Sequence, residues 1–189
     1  MTASAEIILG VLMGIGLSAA SGFRVFVPLL GANVAAQAGV LDLSANMAWM
    51  GTPLATVAFG AAAAVEVVAF YVPWLDNALD GLAVPLATGA GTLLTASVLG
   101  DVPPVVQWTV ATIAGGGTAG LTQGATTLVR GGSTATTGGL ANPLVATGEM
   151  IGSVGATIGA LLVPGVTALV LGLLGLWVWR TWRQRSHAR

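Results

Sequence analysis

The 189-residue chain contains no cysteine. Disulfides, iron–sulfur clusters and thiolate metal sites are excluded, and the redox compartment leaves no mark on the sequence. The one histidine, His187, lies in the polar tail. Zinc catalysis and a histidine-activated nucleophile both lack their key residue inside the chain. Charge is almost as scarce. Only 7% of the residues are charged, against roughly 25% in a soluble domain. So few charges do not cover a water-facing surface, which excludes a soluble enzyme and a disordered tail alike. A net charge of −1 gives nucleic acid nothing to bind. Residues 1–6 carry no Arg, so the basic lead of a cleaved signal peptide is missing, and the first apolar stretch reads as a retained span.

What is present is apolar. Hydrophobic residues make up 55% of the chain and mean hydropathy is +0.90. A spanning helix takes roughly 20 apolar residues, so this length holds about five or six spans and no soluble domain. The expected fold is all-α: one polytopic transmembrane helix bundle over residues 1–189. The 28 glycines fit it, because small residues let helix backbones approach closely in lipid. Gly-x-x-x-Gly occurs at Gly10/Gly14, Gly116/Gly120, Gly120/Gly124, Gly148/Gly152 and Gly155/Gly159. Such stripes serve tight packing within the bundle or the face of a homodimer.

Residues 7–38 are too long for one simple span. The small residues 18–22, then Arg24 and Pro28, predict a broken or re-entrant helix in their midst. Residues 39–52 read as an interfacial connection, with Trp49 at headgroup level. A Pro-started span over 53–72 follows, then a polar interruption over 73–83 and a short third span over 84–99. The fourth span covers 105–129, with a Gly/Thr core at 114–124 that allows close packing or local unwinding. Residues 130–142 read as a Gly/Ser/Thr loop. Pro143 restarts a helix, and Pro164 divides the long stretch 144–179. Trp177, Trp179 and Trp182 beside Arg180, Arg183 and Arg185 make an interfacial belt leading into a basic tail, 180–189. The positive-inside rule places that tail in the cytoplasm, with the chain in the inner membrane.

Thr52-Pro53-Leu54 matches Asn142-Pro143-Leu144, and Val72-Pro73 matches Val163-Pro164. These pairs suggest an inverted repeat, with halves 6–80 and 104–180 joined by the span at 84–99. That plan puts a binding site near the midplane, at interrupted helices. The arginines and glutamates of the two halves do not align.

The segment Ser21-Gly22-Phe23-Arg24-Val25-Phe26-Val27-Pro28-Leu29, with Glu66 ahead of Val72-Pro73-Trp74-Leu75-Asp76, resembles a family of short bacterial integral membrane proteins, domain of unknown function 4126. The resemblance covers about residues 10 to 178. It implies a single-domain bacterial inner-membrane protein and carries no activity with it.

Charges inside a membrane cost about 2.5–3.5 kcal/mol each on insertion scales and are functional by default. Arg24 follows the helix break, where a guanidinium beside free helix N–H groups suits an anion; the alternative is a structural ion pair with Glu66 or Glu149. Glu66 lies within an Ala/Val run, so it faces the bundle interior or a wet cavity and suits proton coupling or structural pairing. Asp76 and Asp80 share a helix face if their segment is helical, and suit a cation or proton, or a solvated cap. Arg130 and Glu149 flank the Gly/Ser/Thr stretch, while Gln123 and Asn142 add uncharged polar groups. No catalytic residue, metal ligand or cofactor site is expected, and the chain is not expected to be an enzyme. The leading expectation is a small transporter or channel-like permease for a small solute or ion, with proton coupling as an option. A flippase for a lipid or polyprenyl-phosphate headgroup and a non-transporting scaffold are the alternatives.

Overall fold

The computed structural model describes residues 3–69, 73–100 and 102–186. All regular structure among them is helical. α1 (Ala3–Phe23) and α2 (Phe26–Gln37) are followed by a short 3-10 helix (Ala45–Gly51), α3 (Pro53–Ala69) and α4 (Pro73–Val98). α5 (Pro104–Val110) passes through a π-helical turn (Ala111–Gly116) directly into α6 (Gly117–Thr137). α7 (Asn142–Leu162) and α8 (Pro164–Ser186) complete the chain.

Proline and glycine set most of these boundaries. α3, α4, α5 and α8 all begin on a proline, whose fixed φ suits a first helical turn and whose missing N–H would be unpaired there anyway. α6 ends at Gly138, which takes φ 63°, the left-handed conformation that terminates a helix.

Among the described residues, three helices are long and apolar enough to cross a membrane: Ser4–Phe23, Gly81–Val98 and Asn142–Leu162. A fourth is reached if the 3-10 helix and α3, bent by 64°, form one broken span. This count does not confirm the expected five or six spans. α2 and Pro164–Trp177 are short, and α6 is too rich in Gly and Thr to pass as a span despite its length.

Two expected connections prove helical. The interruption expected over 73–83 belongs to α4, which continues through Pro85 to Val98. Asp76 and Asp80 therefore share a helix, one turn apart, although their side chains lie outside the described residues. The loop expected over 130–142 is helix as far as Thr137. There, Thr136 Oγ1 donates to Gly132 O at 2.8 Å and Thr137 Oγ1 to Ser133 O at 2.8 Å. These bonds turn hydroxyls that favour loops back onto the helix's own carbonyls.

The distribution of side-chain size is inverted relative to a soluble protein. The interior is built of Ala, Gly, Ser and Thr, with Ala20, Ala32, Ala96, Ser18 and Thr95 fully buried. Large aliphatic side chains, such as Leu54, Leu121, Leu128 and Ile151, stand on the outside. A water-exposed surface rarely carries so much contiguous apolar area. The same surface facing lipid needs no explanation, and small residues inside are what close helix packing in lipid requires.

α1 is the central post, packed against α4, α6, α7 and α8. Small residues set how close the helices come. A Cβ added at Gly91 would lie 2.6 Å from Ala119 Cβ and 2.8 Å from Gly115 O. Gly10 and Gly14 press on Val98 and Thr95 of α4, and Gly116 on Thr88 and Thr92. Those stripes are consumed inside the bundle, whereas Gly124, Gly148 and Gly155 face open space. Hydroxyl groups tie the helices further: Ser18 Oγ donates to Gly91 O at 2.8 Å, and Ser153 Oγ to Ala20 O at 3.0 Å.

The suggested repeat survives in the order of elements. α3 and α7 follow a long interrupted helical segment in each half, and α4 and α8 follow them, each opening on a proline. The packing is not symmetric. Among the described residues α2 packs on α4, while its counterpart α6 does not pack on α8. An inverted repeat is therefore not established by the packing.

Candidate functional site

The first element of the site is a break in the chain. α1 makes its last backbone bond at Arg24 N, which donates to Ala20 O at 3.1 Å. An unbroken helix through Pro28 would drive the proline ring into the Arg24 carbonyl and lose one backbone bond. The helix stops and restarts instead, and α2 opens with N–H groups that have no carbonyl behind them. Val25, at its N-cap position, has no side chain able to accept them.

Glu66 of α3 accepts them from across the bundle. Val25 N donates to Glu66 Oε1 at 2.7 Å and Phe26 N to Oε2 at 3.0 Å. The carboxylate thus caps α2 with both oxygens, at the positive end of the helix dipole. Glu66 is 8% exposed, as the Ala/Val run around it required.

Arg24, 2% exposed, points the other way, into α7. Its Nη2 donates to Ala146 O at 2.7 Å and lies 3.6 Å from Glu149 Oε2. Arg130 of α6 closes the group. Its Nε donates to Glu149 Oε1 at 3.0 Å, and its Nη2 bonds Glu149 Oε2, a two-point fork between guanidinium and carboxylate. Arg130 and Glu149 are each 6% exposed. Both guanidinium groups also act electrostatically on Glu66.

Four of the sequence candidates therefore converge: Arg24 at the break, Glu66 on α3, Arg130 on α6 and Glu149 on α7. Among the described residues, two positive and two negative groups meet here, and opposite charges side by side lower the cost of burying each of them.

A cavity of about 310 Å³ adjoins the cluster. Glu66 and Gln123 are the polar residues in its wall; Phe23, Phe26, Ala62 and Leu86 are among the apolar ones. Gln123 is 7% exposed.

The remaining candidates stand elsewhere. Asn142 lies at the start of α7, its Nδ2 donating to Thr134 Oγ1 at 3.1 Å, and does not join the cluster. Asp76 and Asp80 lie outside the described side chains. No group of His, Asp or Glu among the described residues is arranged to hold a metal ion. Sequence reasoning missed the backbone N–H groups of Val25 and Phe26, whose only signal was the break itself. It also missed Asn33, which donates to Met50 O at 2.6 Å and Thr52 O at 3.1 Å and fastens the 3-10 helix to α2.

Comparison with curated proteins and with solved structures finds no match. A family model matches residues 11–184, nearly the whole chain and every residue of the cluster, and on that match the chain belongs to the family described as a domain of unknown function, DUF4126.

Proposed function

We propose that this membrane protein is a small permease, not an enzyme, whose substrate passes through the cavity beside the break between α1 and α2. One observation carries the reading: charged side chains from four separate segments meet at a helix break, next to a cavity. Intramembrane charges at discontinuous helices are the usual construction of a substrate or ion site. A carboxylate in the cavity wall, held only by two backbone N–H groups and by electrostatics, also suits proton coupling. It can take up a proton and let go without unfolding a helix.

The test is flux in proteoliposomes containing the purified protein and an internal pH-sensitive dye. Imposed gradients of chloride, sodium, potassium and small neutral solutes are applied in turn. Wild-type protein is expected to move protons with one of these gradients. Glu66→Gln and Arg24→Ala should abolish that movement while circular dichroism and gel filtration stay those of wild type. Unfolding of both variants, or undiminished flux in both, would contradict the proposal.

A further inference from the structure

The cavity wall combines two chemistries. Phe23 and Phe26 flank the helix break and bring two aromatic rings to it, and Val65 and Leu86 add aliphatic surface. Among the described residues Glu66 is the charged side chain in that wall. The guanidinium groups of the cluster are not part of it. Arg24 Nη2 reaches Ala146 O and Glu149 on α7, and Arg130 forks to the same carboxylate. A ligand in the cavity therefore meets hydrocarbon, the Gln123 amide and one carboxylate. Glu66 keeps acceptor capacity while it caps α2. A carboxylate offers about four lone-pair positions, and each of its oxygens accepts one backbone N–H, from Val25 and from Phe26.

The carboxylate selects positive charge, and its surroundings select what carries that charge. A bare divalent metal ion takes about six oxygen ligands or more, and no group of His, Asp or Glu among the described residues is arranged to hold one. An organic cation brings its own apolar coat, which an aliphatic and aromatic wall accepts. Aromatic faces also attract ammonium groups that come within about 6 Å. Val65 and Leu86 are exposed on the outside of the protein as well as lining the cavity. The rim thus merges with the apolar surface that faces lipid, and a ligand with an apolar body is favoured there over a fully hydrated ion.

We infer that the cavity is a binding site for a small monovalent organic cation, its ammonium group paired with the Glu66 carboxylate and its apolar body against Phe23 and Phe26. The inference rests on the permease reading for a cavity open to ligand, and not for which solute crosses. Proton and cation exclude one another at Glu66, because only the ionised carboxylate attracts an ammonium group. The charged groups that act on Glu66 are Arg24 at the break and Arg130 of α6, with Glu149 of α7 beside both. The α4 side chains in the cavity wall, Ala83 and Leu86, carry no charge. The side chains of Asp76 and Asp80, earlier on α4, lie outside the described residues.

The experiment is equilibrium dialysis of radiolabelled benzyltrimethylammonium against the full chain in lipid nanodiscs, with empty nanodiscs subtracted. Phenylmethanesulfonate, with the opposite charge on a similar apolar body, is the comparison. Wild type at neutral pH should bind the cation and not the sulfonate. A quaternary ammonium does not titrate, so acidification acts through the protein, and protonating Glu66 should release the cation. Glu66→Gln should weaken binding about tenfold or more, as expected for a lost contact between charged groups. Phe26→Leu should weaken it about threefold, the scale of one cation–π contact. Bound cation should also slow the modification of Ala62→Cys by an uncharged maleimide, which places it in the cavity. If Glu66→Gln fails to fold, the pH series on wild type and Ala62→Phe, which fills the cavity and leaves Glu66 in place, decide instead: both should lose the cation. No binding above empty nanodiscs, equal binding of the sulfonate, or binding indifferent to pH and to Ala62→Phe overturns the inference. Binding in the cavity without proton flux upholds it and removes the permease reading. Proton flux under the gradients described above, without binding of the cation, does the reverse.

Discussion

Glu149 receives a fork from Arg130 and faces Arg24, so it is the carboxylate on which two buried guanidinium groups depend. Replacing it with Gln keeps its size and removes its charge. Both guanidinium groups would then lose that carboxylate, and Glu149→Gln should cost about 3–5 kcal/mol of stability, the range for breaking a buried ion pair. Arg130→Met and Glu149→Leu together remove one charge of each sign, so the net charge of the cluster is unchanged. That double variant should lose clearly less than Glu149→Gln alone. Chemical unfolding in a mild detergent measures both. Equal or greater loss in the double variant would show that the fork holds the bundle by shape rather than by charge.

The helices meet through glycine where backbones cross, and the space beside each glycine sets its tolerance. A Cβ at Gly91 would press on Ala119 and on the Gly115 carbonyl, and one at Gly115 would press on Gly91 and Thr95. Gly91→Ala and Gly115→Ala should each destabilise by about 1–3 kcal/mol, the cost of overpacking. Gly124 lies in the same helical rod but faces open space. Gly124→Ala should be neutral or stabilising by up to about 1 kcal/mol, because alanine loses less backbone freedom in a helix. Melting temperatures of the three variants, side by side, check the contrast. Helix limits were readable where proline dictates them: the break before Pro28 and the restarts at Pro53, Pro143 and Pro164 all follow from one ring and one missing N–H. They were misread where composition stood in for mechanism. The Gly/Ser/Thr stretch 130–142 stays helical because its hydroxyls bond their own helix, and the polar residues 73–83 are a continuous part of α4. Neither outcome is encoded in hydropathy.

Among the described residues, lipid-facing leucine and isoleucine surround a core of small residues and a cluster of buried charges. Arg24, Glu66, Arg130 and Glu149 could be picked out from sequence because charge is so rare in this chain. Their mutual arrangement could not, since it depends on which helices touch. Apolar length alone does not settle the number of crossings, because it does not distinguish a span from a short or Gly/Thr-rich helix inside a bundle. Orientation is open to a direct test. Clustered Arg180, Arg183 and Arg185 should hold the C-terminus in the cytoplasm. A fluorescent protein fused there should be bright, and alkaline phosphatase fused there inactive; the opposite pattern would reverse the orientation.

The most direct measurement asks whether water reaches the cavity beside the charges. The absence of cysteine makes the background clean. Ala62 lines the cavity, whereas Ala64, on the same helix, is exposed on the outer surface that faces lipid. A thiol reacts as its thiolate, which forms in water and not in hydrocarbon. In nanodiscs, a small charged thiol reagent should therefore modify Ala62→Cys at least about tenfold faster than Ala64→Cys, as expected if only the first thiol ionises. Equal, slow modification of both would mean a dry cavity, with Arg24, Glu66, Arg130 and Glu149 serving only to hold the helices together.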